Sequence, residues 1–307
     1  MWYHTSKRLK REALMGTFTG HIVPGLALTF LGLWHIINNI RNFCLKGSAD
    51  FAAKLWYPFP GPFSKLKHLE LIFILSFSAL SILSQLLDFP LFRFGFRLDS
   101  FEHATMFLHL AIFAGFTLAS EITHTSSVLS GFTRMLAASI FGQELFLIHF
   151  HSTDHVGLEG HYHWLLQVIV FVSLSAAITV ALLPNSFVAA LVLSMSVVSQ
   201  GCWFLNMGFM LWVPDLIPKG CVMQVAKAST SEMPGAVTCE SPDADLRARA
   251  LANLQFSWIL AGISLLTGFI FIKLARSRPC SSRNQSTEYE QLRTRGTEVP
   301  ITIVGFK

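Results

Sequence analysis

The chain has 307 residues, of which 52% are hydrophobic and only 13% are charged. A soluble domain usually carries about 25% charged residues, so this composition excludes an ordinary soluble protein and indicates lipid as the solvent. The net charge of +5 is small for the length, and the basic residues fall in loops and tails, without the basic stripe that nucleic-acid binding needs. The sequence therefore predicts an integral membrane protein that partners the lipid bilayer and no nucleic acid.

Apolar segments follow one another along the chain, each near the ~20 residues that a spanning helix needs. They predict an all-α fold, a bundle of seven transmembrane helices at about 21–43, 69–89, 101–120, 132–151, 162–183, 187–212 and 253–275. Residues 1–14 form a basic N-terminal extension that lacks the apolar core of a cleavable signal, and the membrane domain covers 15–276. Residues 277–307 are polar and charged, as is typical of a disordered tail.

Three features of the loops and tail predict that the N-terminus lies outside and the C-terminus in the cytosol. The distribution of Lys and Arg favours this orientation slightly. Cys221 and Cys239 lie in the long loop after the sixth span, which would then be exoplasmic and able to hold a disulfide, although two free thiols are the alternative. Tyr289 and Leu292 frame the tetrapeptide YEQL, which resembles the tyrosine-based sorting signals that cytosolic adaptors read.

Histidines are concentrated at one place in the chain. Five of the twelve lie in ELFLIHFHSTDHVGLEGHYHW, residues 144–164. Because successive spans alternate in direction, the starts of helices 1, 3 and 5 and the end of helix 4 share one membrane face. The topology thus gathers a layer of imidazoles and carboxylates at that face: His21, Glu102, His103, His149, His151, Asp154, His155, Glu159, His161 and His163.

This layer admits several interpretations. As a metal site it would hold zinc, copper or ferrous iron, with preferred ligands His103, His151, His155 and His163 and with Glu102, His149, Asp154 and Glu159 as further ligands or their neighbours. As a haem site it would clamp the iron between two histidines. The alternative without a functional site is that these histidines lie at the lipid–water boundary and form hydrogen bonds with headgroups, water or loop carbonyls.

A proton or ion path is the remaining interpretation. Glu144 lies about 10 Å deeper along helix 4 than His151, at 1.5 Å per residue. Gln167 shares a helical face with His163. A carboxylate at that depth is expensive and should face the bundle, so it is a functional candidate by default.

Other polar residues are interpreted structurally. His35, Asn38 and Asn39 end helix 1 at the opposite face, where we expect them to cap the helix or bond a neighbour. Gln200 and Asn206 lie within the sixth span. Buried amides commonly join transmembrane helices, and lining a pathway is the alternative for these two.

Several segments together resemble a known family. They are MGTFTGHIVPG at 15–25, GLWHIINNI at 32–40, FEH at 101–103, FGQELFLIHFHSTDHVGLEGHYHWLLQ at 141–167 and QGCWFLNMGFMLWVPDLIPKGC at 200–221. The sequence resembles the transmembrane protein 45 family, a domain of unknown function (716), and looks closest to its plant branch. The resemblance implies a multi-pass membrane protein of the endomembrane system (Golgi, endosome or vacuole) or the plasma membrane, without established chemistry. It also favours His151 and His163 within the layer, and it makes residues 1–14 an extension, since the family usually begins at Met15.

The leading functional hypothesis is a non-enzymatic membrane protein that binds or conducts a metal ion or protons. One rival is a zinc-dependent intramembrane hydrolase similar in architecture to the seven-helix ceramidase and adiponectin-receptor group, but span 253–275 lacks that group's H-x-x-x-H pair. Another is a haem-containing reductase, for which only His35 and His124 lie at the opposite face. The third is a trafficking or scaffold protein that acts through its loops and tail, with sorting adaptors as partners.

Overall fold

The computed structural model describes residues 2–59, 67–88, 93–94, 98–150, 157–223 and 237–277, with side chains from residue 18 onward except at 87–88, 93–94 and 98–99. Within these ranges it contains helices α1 (Trp2–Asp50), α2 (Leu69–Leu86), α3 (Leu98–Ile122), α4 (Ser126–His149), α5 (Gly157–Leu182), α6 (Phe187–Trp212) and α7 (Pro242–Ser277). Strands β1 (Leu87–Asp88) and β2 (Arg93–Phe94) pair antiparallel, as do β3 (Cys221–Met223) and β4 (Val237–Cys239). A short 3-10 helix covers Pro214–Leu216.

The all-α prediction is confirmed, and six of these helical segments are long and apolar enough to cross a membrane. They are Phe18–Asp50, Leu69–Leu86, Ser100–Ile122, Gly157–Leu182, Phe187–Trp212 and Pro242–Ser277. Helix α4 is not among the six, so the fourth span predicted at 132–151 is not one of the segments that meet this criterion. Arg134, Gln143 and Glu144 interrupt its apolar sequence. It nevertheless packs against both α3 and α5.

Two helices extend well beyond the predicted spans. Helix α1 runs to Asp50, with a break at Gly47, where φ is 79° and ψ is 174°. Helix α7 begins at Pro242, ahead of the span predicted from residue 253. Proline needs no partner for its missing N–H at a helix start, and Asp243 and Asp245 suit the positive end of the helix dipole. Both helices are therefore longer than the apolar segments that hydropathy predicts within them.

The helices pack in the order α2, α3, α4, α5, α6, α1, since each of these neighbours contacts the next. Leu31 of α1 packs in one apolar cluster with residues of α2, α3 and α4, and this brings the two ends of the series together. Helix α7 lies along α1, α5 and α6. Its alanines Ala244, Ala248 and Ala252 recur every fourth residue and are all buried against α5 and α6.

Helices α1 and α6 make the most intimate contact of the bundle. A Cβ atom on Gly32 would lie 2.7 Å from the backbone nitrogen of Val198, and one on Gly201 would collide with the backbone of Thr29. Without a hydrophobic effect between helices in lipid, close approach of small residues is a principal source of association. These glycines therefore set the distance between the two helix axes.

We predict that Gly201→Ala destabilises the folded protein by about 1–3 kcal/mol, because the methyl group has nowhere to go without separating α1 from α6. Thermal unfolding of the detergent-purified protein measures the loss. Gly262→Ala is the matched control, since a Cβ at Gly262 meets nothing within 4 Å. Equal effects of the two substitutions would contradict the conclusion that glycines set the distance between α1 and α6.

Candidate functional site

A polar cleft opens where α4, α5 and α7 meet. Its volume is about 410 Å³, and its lining comes from all three helices: His149, Gly157, Gly160, His161, Trp164, Gln167 and Arg249. The cleft lies at the end of α4 and the start of α5, which is the face where the sequence predicts the histidine layer. Three of the predicted residues, His149, His161 and Gln167, line it directly.

His149 and Gln167 are hydrogen-bonded across the α4–α5 interface. The distance from His149 Nδ1 to Gln167 Oε1 is 3.2 Å, and since an amide oxygen only accepts, the imidazole donates. The sequence hypothesis places Gln167 on the same proton or ion path as Glu144, and its partner here is a histidine of the predicted layer. Gln167 thus bonds a histidine of the neighbouring helix α4.

Amide groups hold the cleft's other wall in place. His161 Nε2 lies 2.8 Å from Asn253 Oδ1 on α7. One residue further along α5, the Tyr162 hydroxyl donates to Gln255 Oε1 at 2.8 Å, and Asn206 of α6 donates to the same oxygen at 3.0 Å. Three helices are thus tied together just behind the cleft, and the prediction that Asn206 joins helices is confirmed.

The predicted metal ligands are only partly within the described structure. His103 is exposed near the start of α3. His163 is half-buried on α5, with Nδ1 3.0 Å from the Glu159 backbone oxygen, and the Glu159 side chain is itself buried. Three of the predicted residues, His151, Asp154 and His155, lie outside the described residues.

Within the ranges that the structure describes, no group of three or more His, Cys, Asp and Glu side chains could hold a metal ion. The two cleft histidines each face an amide oxygen, Gln167 for His149 and Asn253 for His161. An amide oxygen is a poor ligand for zinc or copper, which prefer nitrogen and sulfur. The described cleft is therefore built for hydrogen bonding more than for metal coordination.

Glu144 lies on α4 below the cleft, five residues before His149, or about 7.5 Å along the helix axis. It is half-buried and shares a helical face with Phe141 and Ile148, both of which pack in the cluster between α4, α5 and α6. Among the described residues, none forms a hydrogen bond or ion pair with its carboxyl group. Glu144 is thus a carboxyl directed toward the bundle with no described polar partner.

A buried polar pair lies at about the depth of Glu144. Gly142 of α4 packs against Leu174 of α5, so the neighbouring Ser173 is near the level of Glu144. Gln200 of α6 donates to Ser173 Oγ at 2.8 Å, and both side chains are fully buried. The prediction that Gln200 joins two helices is confirmed.

A second polar cluster lies at the opposite end of the bundle, centred on Glu70 at the start of α2. Its carboxylate accepts from Trp34 Nε1 and from the Tyr57 backbone N–H, both at 2.8 Å, and His35 Nε2 lies 2.8 Å from its other oxygen. The Glu70 carboxylate is largely buried. Three elements, α1, α2 and the segment 51–59, therefore converge on one carboxylate.

The Tyr57 side chain carries this cluster on to α6. Its hydroxyl donates to Asn39 Oδ1 at 2.7 Å, and Asn39 in turn donates to Ser194 Oγ at 2.8 Å. Burial raises the pKa of the Tyr57 hydroxyl, and the nearby Glu70 carboxylate acts in the same direction, so the hydroxyl stays a donor. The expectation that Asn39 bonds a neighbour is confirmed, whereas Asn38 donates to the Trp34 carbonyl within its own helix.

Sequence reasoning missed Glu70, Asn253, Gln255 and Arg249. Glu70 carried a visible signal, because an acidic residue in the first turn of an apolar span requires partners. Arg249 carried none, since a predicted span that starts at residue 253 placed Arg249 in a loop. Its side chain lines the cleft only because α7 starts at Pro242.

The two cysteines of the sixth loop are joined by a disulfide, Cys221–Cys239, which links β3 to β4. Cys221 is buried in the apolar cluster formed by α5, α6 and α7. The sorting tetrapeptide with Tyr289 and Leu292 lies outside the described residues.

The family comparison covers the part of the chain that builds the cleft. Residues 130–272 match the model of a family described as "Family of unknown function (DUF716)". This match covers slightly under half of the chain, from within α4 to within α7, and is consistent with the resemblance to the transmembrane protein 45 family. It supports a multi-pass membrane protein and brings no established activity with it.

We predict that Glu70→Gln destabilises the protein by about 1–3 kcal/mol, because the amide lacks the negative charge that strengthens these hydrogen bonds and puts an NH2 group where the carboxylate oxygen meets His35 Nε2. Unfolding in detergent measures the change. Glu121→Gln is the control, since among the described residues the Glu121 carboxylate pairs only with the half-exposed Lys67, at 3.9 Å, and such pairs contribute roughly 0–1 kcal/mol. A Glu70→Gln protein as stable as wild type would contradict the role of this cluster.

Proposed function

We propose that this multi-pass membrane protein binds and conducts protons, which enter through the polar cleft and are accepted by the carboxyl group of Glu144. The observation that carries the proposal is the position of Glu144, half-buried on a packed helix and without a described polar partner. Intramembrane carboxyl groups are expensive to maintain and usually belong to ion or proton pathways.

The cleft supplies an entrance. His149 and Gln167 are hydrogen-bonded to each other at its floor, one to two helical turns above Glu144. Imidazole is the side chain best suited to take up and release protons near neutral pH. A proton delivered to His149 thus has a carboxyl acceptor deeper on the same helix.

Buried polar groups continue beyond Glu144 toward the other face. The Ser173–Gln200 pair lies near its level, and α6 then carries buried Ser199, Ser196 and Ser194 before reaching Asn39. The distance along α6 from Gln200 to Ser194 is about 9 Å at 1.5 Å per residue. These serines bond carbonyls of their own helix, so each keeps an oxygen able to accept in a transient chain.

A proton is favoured over a metal ion by the amide partners of His149 and His161. A metal site would need His151 or His155, together with His103 or His163, as the sequence hypothesis has it. The zinc hydrolase and the haem reductase would likewise need histidine ligands beyond those of the described cleft. The proton proposal needs none of them.

We further propose that the cleft faces the exoplasmic or lumenal side and the C-terminus the cytosol, in the endomembrane system or the plasma membrane. The Cys221–Cys239 disulfide is compatible with an exoplasmic position of its loop, because disulfides persist in oxidising compartments. In this orientation the tail from residue 277 is cytosolic, where adaptors could read Tyr289 and Leu292.

Proton flux into proteoliposomes, followed with an internal pH dye under an applied pH gradient, tests the proposal. Wild-type protein should dissipate the gradient faster than protein-free liposomes, and Glu144→Gln should reduce the rate to that background. Glu121→Gln, which also neutralises a carboxylate but at the far end of α3, should conduct like wild type.

Wild-type flux in Glu144→Gln would overturn the proposal. Metal content of the same preparations identifies the main alternative: a stoichiometric metal that disappears in the His151→Ala/His163→Ala double variant would mark a metal site instead. If only removal of the tail after Arg278 changed location or partner capture, the scaffold hypothesis would replace both.

A further inference from the structure

We propose that the cleft binds the phosphate group of a membrane phospholipid, held by Arg249, while the acyl chains lie along the exposed apolar face of α5. This site shares the cleft with the proposed proton entrance, but Glu144 takes no part in it. The proposal stands on the donors in the cleft, on its unfilled volume and on the apolar surface that continues from it.

The terminal nitrogens of the Arg249 guanidinium can donate hydrogen bonds to a ligand. Its Nε donates to Asp245 Oδ2 at 2.7 Å, one turn earlier on α7. No residue in the described part of the chain accepts a hydrogen bond from its other two nitrogens. A guanidinium presents its donors in a planar fork that matches phosphate oxygens, and the Asp245 carboxylate fixes the orientation of that fork.

The remaining donors surround Arg249. Asn253 lies one turn after Arg249 on the same face of α7 and holds the His161 ring against this wall of the cleft. Gln167 accepts from His149 through Oε1, which leaves its amide nitrogen as a donor. A phosphate group in the cleft would thus meet a fixed cation and a neutral amide donor.

The cleft has room for such a group. Its volume of about 410 Å³ falls within the roughly 300–1,000 Å³ of small-molecule sites. Gly157 and Gly160 contribute backbone without a side chain to its wall. A Cβ atom on Gly157 would meet nothing within 4 Å, so the space in front of it is open.

Apolar surface continues from the cleft into the membrane, and this favours a lipid over a soluble anion. Trp164 lines the cleft and is 55% exposed. Val168 and Phe171 follow it on the same face of α5, and both are exposed. Tryptophan prefers the headgroup level of a bilayer, so Trp164 marks the junction between phosphate and acyl chains.

Native mass spectrometry of the full-length protein in detergent tests the site with three probes: phosphatidylcholine, diacylglycerol with the same acyl chains, and inorganic phosphate. Wild-type protein should retain phosphatidylcholine in preference to diacylglycerol. Arg249→Gln should remove that preference. Arg247→Gln should keep it, because Arg247 is exposed two residues away on α7 and does not line the cleft.

Asp245→Asn distinguishes the role of the Arg249 guanidinium from that of the Asp245–Arg249 salt bridge. Like Arg249→Gln, this variant removes the salt bridge, but it keeps the guanidinium, so the protein should still prefer the phospholipid. Glu144→Gln should bind lipid like wild type, so failure of the proton proposal and failure of this one are distinguishable.

Three results would overturn the inference. Equal retention of diacylglycerol and phosphatidylcholine by wild-type protein would show that phosphate is not recognised. Loss of the preference in Arg247→Gln would show that general charge decides binding. Displacement of the phospholipid by inorganic phosphate at equal concentration would identify a soluble anion as the occupant.

Discussion

The close packing of α1 on α6 is the constraint on which the rest of the bundle depends. Gly25, Gly32 and Gly201 bring the two backbones together, and no side chain larger than hydrogen fits at the tightest of these contacts. Helix α6 is thereby fixed with α1 on one side and α5 and α7 on others. The polar side chains of α6 can reach their partners only because these helices are held at fixed distances.

Those partners show how polar groups are accommodated in an apolar bundle. Gln200 bonds Ser173 of α5, Asn206 bonds Gln255 of α7, and Ser194 accepts from Asn39 of α1. Each pair satisfies a group that would be costly to leave unbonded away from water. Glu70 follows the same rule at one end of the bundle with three donors. Glu144 is the exception, because its carboxyl group has no hydrogen-bond partner among the described residues. The proposed proton route therefore centres on this residue.

The class of fold could be predicted from the sequence, because a lipid-embedded protein has few charged residues and long apolar segments. Hydropathy located α2, α3, α5 and α6 closely. It placed the start of α7 too late, because the alanines that pack its first turns alternate with Asp245, Arg247 and Arg249. That error hid Arg249, one of the residues that defines the cleft.

For the site, the sequence could predict only the end of the bundle at which its residues lie, not which side chains bond one another. Alternation of helix direction brought His149, His161 and Gln167 to one end, and helical spacing directed Glu144 toward the bundle. Partner choice depends on the axial alignment of neighbouring helices, which periodicity within a single helix does not contain. For that reason Gln167 pairs with His149 across two helices, and Tyr57 joins α1 to α2 through a loop that hydropathy passes over.

The most direct test of the central claim is infrared difference spectroscopy of the protein in lipid as the pH on the cleft side is changed. The account predicts a carboxyl carbonyl band that changes with pH in wild-type protein and is missing from the Glu144→Gln spectrum. A wild-type spectrum in which no pH-dependent carboxyl band is lost on Glu144→Gln substitution would show that this carboxyl group does not exchange protons with the cleft, and would contradict the account.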